Sequence, residues 1–148
     1  MNSNPKNNLD YSEQQLEPFS DNTILELSPQ KTDSAGNTKY VLIKHDYYSS
    51  DSDNGRELLS GFFSVLADSS YSSIIVYLID KGVLLLDKNN PLYNDMLSFL
   101  DRTDSVIADN DSIGYYGITD YRNSKIVLQS AHSIAEDLIY ISDILILE

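Results

Sequence analysis

The chain has 148 residues, a net charge of −13 and no cysteine. Phosphate contacts need clustered Lys and Arg, so this charge disfavours nucleic acid and an anionic membrane surface as partners. The lack of cysteine excludes disulfides, thiolate metal sites and any cysteine nucleophile or persulfide carrier on this chain.

The first 38 residues are rich in Asn, Ser, Gln, Asp and Pro and poor in apolar side chains. This composition buries too little apolar surface to offset the entropy of ordering, which predicts a flexible polar tail over residues 1–38. The weakly alternating segment Thr23–Leu27 is either part of that mobile tail, an edge strand or a docking segment. No signal-peptide layout and no apolar run near the ~20 residues of a bilayer span occur, so we expect a cytoplasmic protein.

From Lys39 onwards, short apolar runs alternate with amphipathic segments, which predicts one α/β domain over residues 39–148. The helix over Arg56–Ala67 is expected to start at a capping box formed by Asn54 and Glu57. A second helix is expected to open at Asn90-Pro91, and a third at Ser133 with Glu136 three residues on. The predicted strands are Tyr40–Ile43, Ile74–Ile79, Val106–Ala108, Ile126–Leu128 and Ile144–Leu147.

The predicted strands are almost continuously apolar, as expected for a parallel sheet that is covered on both faces. The sequence therefore predicts a three-layer α/β/α sandwich with a mainly parallel five-stranded sheet. Sheets of this kind hold their ligands at the carboxyl ends of the strands.

Polar side chains follow four of the predicted strands and are expected to share that edge. The run Asp109–Ser112 is the most compact group. The backbone N–H groups at the start of the turn Ser112–Gly117 are possible anion donors, which Asp109 and Asp111 oppose electrostatically. Nearby tyrosines are expected either to line a pocket or to pack on the surface. The candidate ligand-binding residues are His45, Asp46, Asp80, Asp109, Asn110, Asp111, Ser112, Tyr115, Tyr116 and His132.

The same residues suggest several chemistries, each with a weak signal. The two histidines and nearby carboxylates lack metal-ligand spacing, so no metal or other cofactor is expected. Ser112 with a histidine and an aspartate has the composition of a hydrolase triad, but no GxSxG motif surrounds it. The acidic segment Asp51–Gly55 departs from a calcium-binding loop, because its glycine comes early and no glutamate closes the loop.

Four blocks of the sequence resemble the DsrE/DsrF-like sulfur-relay family, in particular the C-terminal domain of YedF-type sulfurtransferase-like proteins. The resemblance covers Lys39 to Glu148 in order. The blocks are GRELLSGFFSVLAD, IIVYLIDKGVLLL, ADNDSIGYYGI and IAEDLIYISDILIL.

The resemblance implies a compact α/β/α domain that assembles into trimers or hexamers. It also implies a cysteine persulfide just after the third strand, where YedF-like members often show Cys-Gly-x-Cys. Counting back from Tyr116-Gly117-Ile118 puts Asp109 and Ser112 on the two cysteine positions, and neither side chain can replace a polarisable thiolate. In place of the SirA/TusA-like domain that precedes this domain in YedF, we expect the polar tail over residues 1–38.

Two functions follow as hypotheses. The favoured one is a non-catalytic, oligomeric binding or companion subunit in a sulfur-relay-type assembly, joined to itself or to a cysteine-bearing homologue. The alternative is an enzyme with repurposed Asp, His and Ser chemistry, with or without help from a metal ion, at the carboxyl edge of the sheet. A flavodoxin-like ligand-binding domain outside the DsrE family is a third reading of the same fold.

Overall fold

The structure is a computed structural model that describes residues 37–148. Its strands form one five-stranded sheet in which every neighbouring pair is parallel. The strands are β1 (Thr38–Ile43), β2 (Ser73–Leu78), β3 (Ser105–Asp109), β4 (Ile126–Gln129) and β5 (Ile144–Leu147). Their order across the sheet is β4-β3-β2-β1-β5. The predicted five-stranded α/β fold is therefore confirmed.

Helical segments connect the strands, as a parallel sheet requires. They are α1 (Asp53–Ala67), a 3-10 helix (Asp80–Leu86), α2 (Tyr93–Leu100), α3 (Asn110–Tyr115) and α4 (Ala131–Tyr140). The short helix α3 and the 3-10 helix are not among the elements that the sequence predicts.

The predicted capping box of α1 is wrong. Ser52 is the N-cap, and its hydroxyl oxygen accepts a 3.0 Å hydrogen bond from the Gly55 backbone N–H. The helix therefore begins at Asp53, ahead of Asn54. An added Cβ at Gly55 would lie 1.8 Å from the Ser50 carbonyl oxygen, so glycine is required where the loop after β1 meets this helix.

Two further helix starts differ from the prediction. Asn90 and Pro91 lie in the turn before α2, where the Asn90 side-chain oxygen accepts from the Leu92 N–H at 2.9 Å. Ser130 caps α4 by accepting from the Ser133 N–H at 3.1 Å, so Ser133 lies inside that helix. In both cases several polar residues near the helix start fit the capping pattern, and residue type alone does not distinguish them.

The two faces of the sheet are covered unequally. Side chains alternate along each strand, so that Val41 and Val76 point to one face while Leu42 and Tyr77 point to the other. The first face packs against α1, the 3-10 helix, α2 and α3, and forms the main core. On the second face α4 contributes the buried Ile134, and it is the single helix there in residues 37–148.

The predictions for residues 1–36, including the segment Thr23–Leu27, lie outside the described residues. Within the described part, β1 begins at Thr38, one residue before the predicted start of the domain. None of the helices in this part combines the length and the apolar character needed to cross a membrane.

Candidate functional site

The carboxyl ends of β1, β2 and β3 lie side by side, as predicted, and hydrogen bonds join the residues that follow them. The backbone N–H of Asp80, after β2, donates to the Ser112 hydroxyl oxygen at 3.0 Å. The Tyr116 hydroxyl donates to the Asp80 carboxylate at 2.8 Å. After β1, the Asp46 carboxylate accepts a 2.9 Å bond from the Asn90 side-chain amide. The structure therefore brings Asp80, Ser112 and Tyr116 together at this edge.

Asp109 is the centre of this cluster and is almost fully buried, with 8% of its surface exposed. One carboxylate oxygen accepts from the Asp111 N–H at 3.3 Å. The other accepts from the Ser112 N–H at 3.2 Å and from the Ser112 hydroxyl at 2.6 Å. Asp109 is thus the N-cap of α3, and the short hydroxyl bond is of the charge-assisted kind.

Ser112 is bound on both sides of its hydroxyl. It donates to Asp109 and accepts from the Asp80 N–H, so its proton and one lone pair are already used. The backbone N–H of Ser112, one of the possible anion donors, also donates to Asp109, as does the backbone N–H of Asp111. We name the three residues Asp80, Asp109 and Ser112 the strand-end lock, because their contacts tie the end of β2 to the start of α3.

Asp80 adopts a left-handed backbone conformation with φ of 49°, which few residues other than glycine adopt. Its backbone bond to Ser112 and its side-chain bond from Tyr116 hold it there. That hydrogen bond to Asp80 raises the pKa of Tyr116, together with desolvation and the negative charges of Asp80 and Asp46. Two of the predicted strand-end carboxylates therefore act on one phenol.

His45 and His132 do not join the strand-end lock. The His45 ring stacks on Tyr47 with centroids 4.7 Å apart, and its Nδ1 is buried without a hydrogen-bond partner. His132 lies on α4 with 85% of its side chain exposed, and its Nε2 is 3.4 Å from a carboxylate oxygen of Glu136. Neither histidine is hydrogen-bonded to Ser112, so no Ser–His pair of a triad is assembled.

The remaining candidates lie at the surface. Asn110, Asp111 and Tyr115 are exposed, and Tyr115 packs edge-on against Tyr116 with centroids 4.9 Å apart. Across residues 37–148, no group of three His, Asp or Glu side chains is close enough together to hold a metal ion.

Asn90 belongs to the edge cluster and was not among the predicted site residues. The site residues were predicted because they closely follow strands, whereas Asn90 comes after the 3-10 helix. The sequence signal for Asn90 is the Asn90-Pro91 pair, which marks a turn. In this turn the Asn90 side chain donates to Asp46 and accepts from the Leu92 N–H.

Comparison with known proteins identifies the fold. No family model matches the sequence, and no curated protein matches it. The conserved protein of unknown function BT1422 from Bacteroides thetaiotaomicron is 15% identical, with a TM-score of 0.54 over 74% of this chain and 95% of its own. The ychN protein from E. coli is 16% identical over 74% of this chain and 99% of its own, with a TM-score of 0.48. At these identities the likeness to BT1422 establishes the α/β architecture and leaves the activity open.

Proposed function

We propose that the chain is a non-catalytic, DsrE-like binding or companion subunit of a cytoplasmic, sulfur-relay-type assembly. The four blocks that resemble the DsrE/DsrF-like family support this kinship, since they fall on α1, on β2 with the 3-10 helix, on β3 with α3, and on α4 with β5. The partner is a second copy of this chain, as a trimer or hexamer, or a cysteine-bearing homologue.

The strand-end lock is the observation that carries the non-catalytic part of the proposal. Asp109 and Ser112 occupy the positions where the family's cysteines are expected, and they hydrogen-bond to each other and to the local backbone. A serine nucleophile is usually activated by a histidine, and neither histidine is hydrogen-bonded to Ser112. Asp109 is almost fully buried, and its three hydrogen bonds, two of which cap α3, fill most of the about four acceptor positions of a carboxylate. We therefore assign this position a role in stabilising the fold.

Affinity capture of the tagged full-length chain from its own host, followed by mass spectrometry, tests the companion role. We expect a cysteine-bearing DsrE-like protein to co-purify at a fixed ratio, or the chain itself to form a closed oligomer by light scattering. A monomer that captures no such homologue would contradict the proposal. In the first case, a persulfide donor should load sulfur on the partner and none on this chain, which has no cysteine.

A further inference from the structure

The second face of the sheet, which α4 covers, leaves large apolar side chains in contact with solvent. Ile139 and Tyr140 at the end of α4 are 75% and 87% exposed. Val127 on the edge strand β4 and Ile146 on the opposite edge strand β5 are each 45% exposed. These four residues are half of the eight large apolar residues that are exposed in the described part of the chain. Exposed apolar side chains thus lie at both edges of the second face and at the end of the helix that covers it.

A groove of about 530 Å³ runs along this face beside α4. Its floor is formed by Tyr40, Ile75 and Ile107, which project from β1, β2 and β3. Glu136 and Asp137 line it from α4. We call this feature the α4 groove. It has an apolar floor and an acidic wall, which is a suitable surface for an amphipathic segment.

The charge of the groove discriminates between possible occupants. Its lining contains two carboxylates, those of Glu136 and Asp137, and no Lys, Arg or His. The Tyr77 hydroxyl donates to one Asp137 oxygen at 3.1 Å, which fixes the carboxylate at the groove wall. Two copies meeting through this face would bring their acidic walls together in chains of net charge −13 each. A partner with Lys or Arg beside its apolar side chains would instead be attracted to the acidic wall.

We propose that the α4 groove binds an amphipathic, Lys- or Arg-bearing segment of a second protein. Apolar side chains of that segment cover the groove floor and Tyr140, while its basic side chains pair with Glu136 and Asp137. This rests on the proposed companion role and assigns that role a surface and a partner chemistry.

The test uses a fluorescent helical peptide of leucine and lysine, about 18 residues or five turns long. A peptide in which every lysine is glutamate is its control. Two variants alter the groove at exposed positions, Tyr140→Ser and Glu136→Lys. Matched variants on other surfaces are Tyr115→Ser, at a tyrosine that is 82% exposed, and Glu57→Lys, which makes the same charge change on α1.

We expect saturable one-to-one binding of the lysine peptide, measured by anisotropy at about 0.15 M salt to limit unspecific attraction. Each groove variant should weaken it by about tenfold, and each matched variant by less than about twofold. Equal losses in groove and matched variants, or equal binding of the glutamate peptide, would overturn the proposal. A dimer in sedimentation that Tyr140→Ser dissociates would overturn it in favour of a second copy.

Host capture separates this inference from the companion role itself. If Tyr140→Ser captures the cysteine-bearing homologue as well as the unmodified chain does, the groove assignment fails and the companion role stands. If neither chain captures a homologue or forms a closed oligomer, the companion role fails, and the groove assignment, which rests on it, fails with it.

Discussion

Ser112→Ala tests whether the strand-end lock holds the fold. The substitution removes the 2.6 Å bond to the Asp109 carboxylate and the acceptor for the Asp80 N–H. A hydrogen bond to a charged group contributes about 1.5–3 kcal/mol, while water can partly replace the acceptor at the exposed Asp80 N–H, so we expect a loss of about 2–3 kcal/mol. The control is Ser130→Ala, which removes one capping bond on α4 and should cost about 1 kcal/mol.

A double-mutant cycle of Asp109→Ala and Ser112→Ala isolates the bond between them. We expect a coupling energy of about 1.5 kcal/mol or more, because the bond is short and the carboxylate is buried. Urea unfolding followed by circular dichroism measures these values, since the chain has no tryptophan. With a slope of about 1–2 kcal/mol per M, a loss of about 2–3 kcal/mol should lower the urea midpoint of Ser112→Ala by about 1–3 M.

The opposite result would refute the reasoning. If Ser112→Ala cost no more than Ser130→Ala and the coupling stayed below about 0.5 kcal/mol, the Ser112 hydroxyl would not be held in place. The Ser112 hydroxyl would then be free to take part in chemistry.

Two further predictions concern packing and pH. Gly82→Ala should lower the free energy of unfolding by about 1–3 kcal/mol in thermal unfolding, because its Cβ would lie 2.2 Å from the Ile43 carbonyl oxygen. Gly61→Ala is the control: a Cβ there meets open space, so the variant should stabilise α1 by about 0.5–1 kcal/mol. Burial, followed by the hydrogen bond to Asp137, raises the pKa of Tyr77 to about 12. The unfolded chain has a tyrosine pKa near 10, so this contribution to stability is complete below pH 10 and is lost as the pH rises to 12. A difference of two pKa units equals about 2.7 kcal/mol of unfolding free energy. Since the groove is open to solvent, we expect the free energy of unfolding to fall by about half of that. Unfolding measured between pH 9 and about 11.5 should show this loss in the unmodified chain and not in Tyr77→Phe.

The strands were the most predictable elements, because strands buried in a parallel sheet read as continuous apolar runs. β5 was predicted over its observed range, Ile144–Leu147, and the other four strands to within two residues at each end. The helix starts were less predictable. Ser130 and Ser133 are both plausible caps by residue type and spacing, and the one observed, Ser130, directly follows the last residue of β4.

The position of the candidate site could also be predicted, but its internal bonding could not. The strand ends place Asp80 and Asp109 at one edge from topology alone. The bond from Asp80 to Ser112 joins residues 32 positions apart and depends on the left-handed conformation of Asp80, which nothing in the local sequence requires. His132 was grouped with them because it follows β4, but the chain turns there to the second face, where the exposed imidazole contacts Glu136.

Because the chain turns to the second face after β4, the strand-end lock and the α4 groove lie on different faces and can be tested separately. The connections after β1, β2 and β3 lead to helices on the first face, while the connection after β4 leads to α4 on the second face. Ligands in such sheets usually bind where neighbouring strands connect to opposite faces, which here is the point between the ends of β3 and β4. Here Asp109 caps α3 on one side and Ser130 caps α4 on the other. Since the lock contributes stability and the α4 groove contributes binding, Ser112→Ala should lower the urea midpoint while leaving the affinity for the lysine peptide unchanged. Tyr140→Ser should do the reverse, and a variant that changed both properties together would show that the two faces are coupled through the sheet.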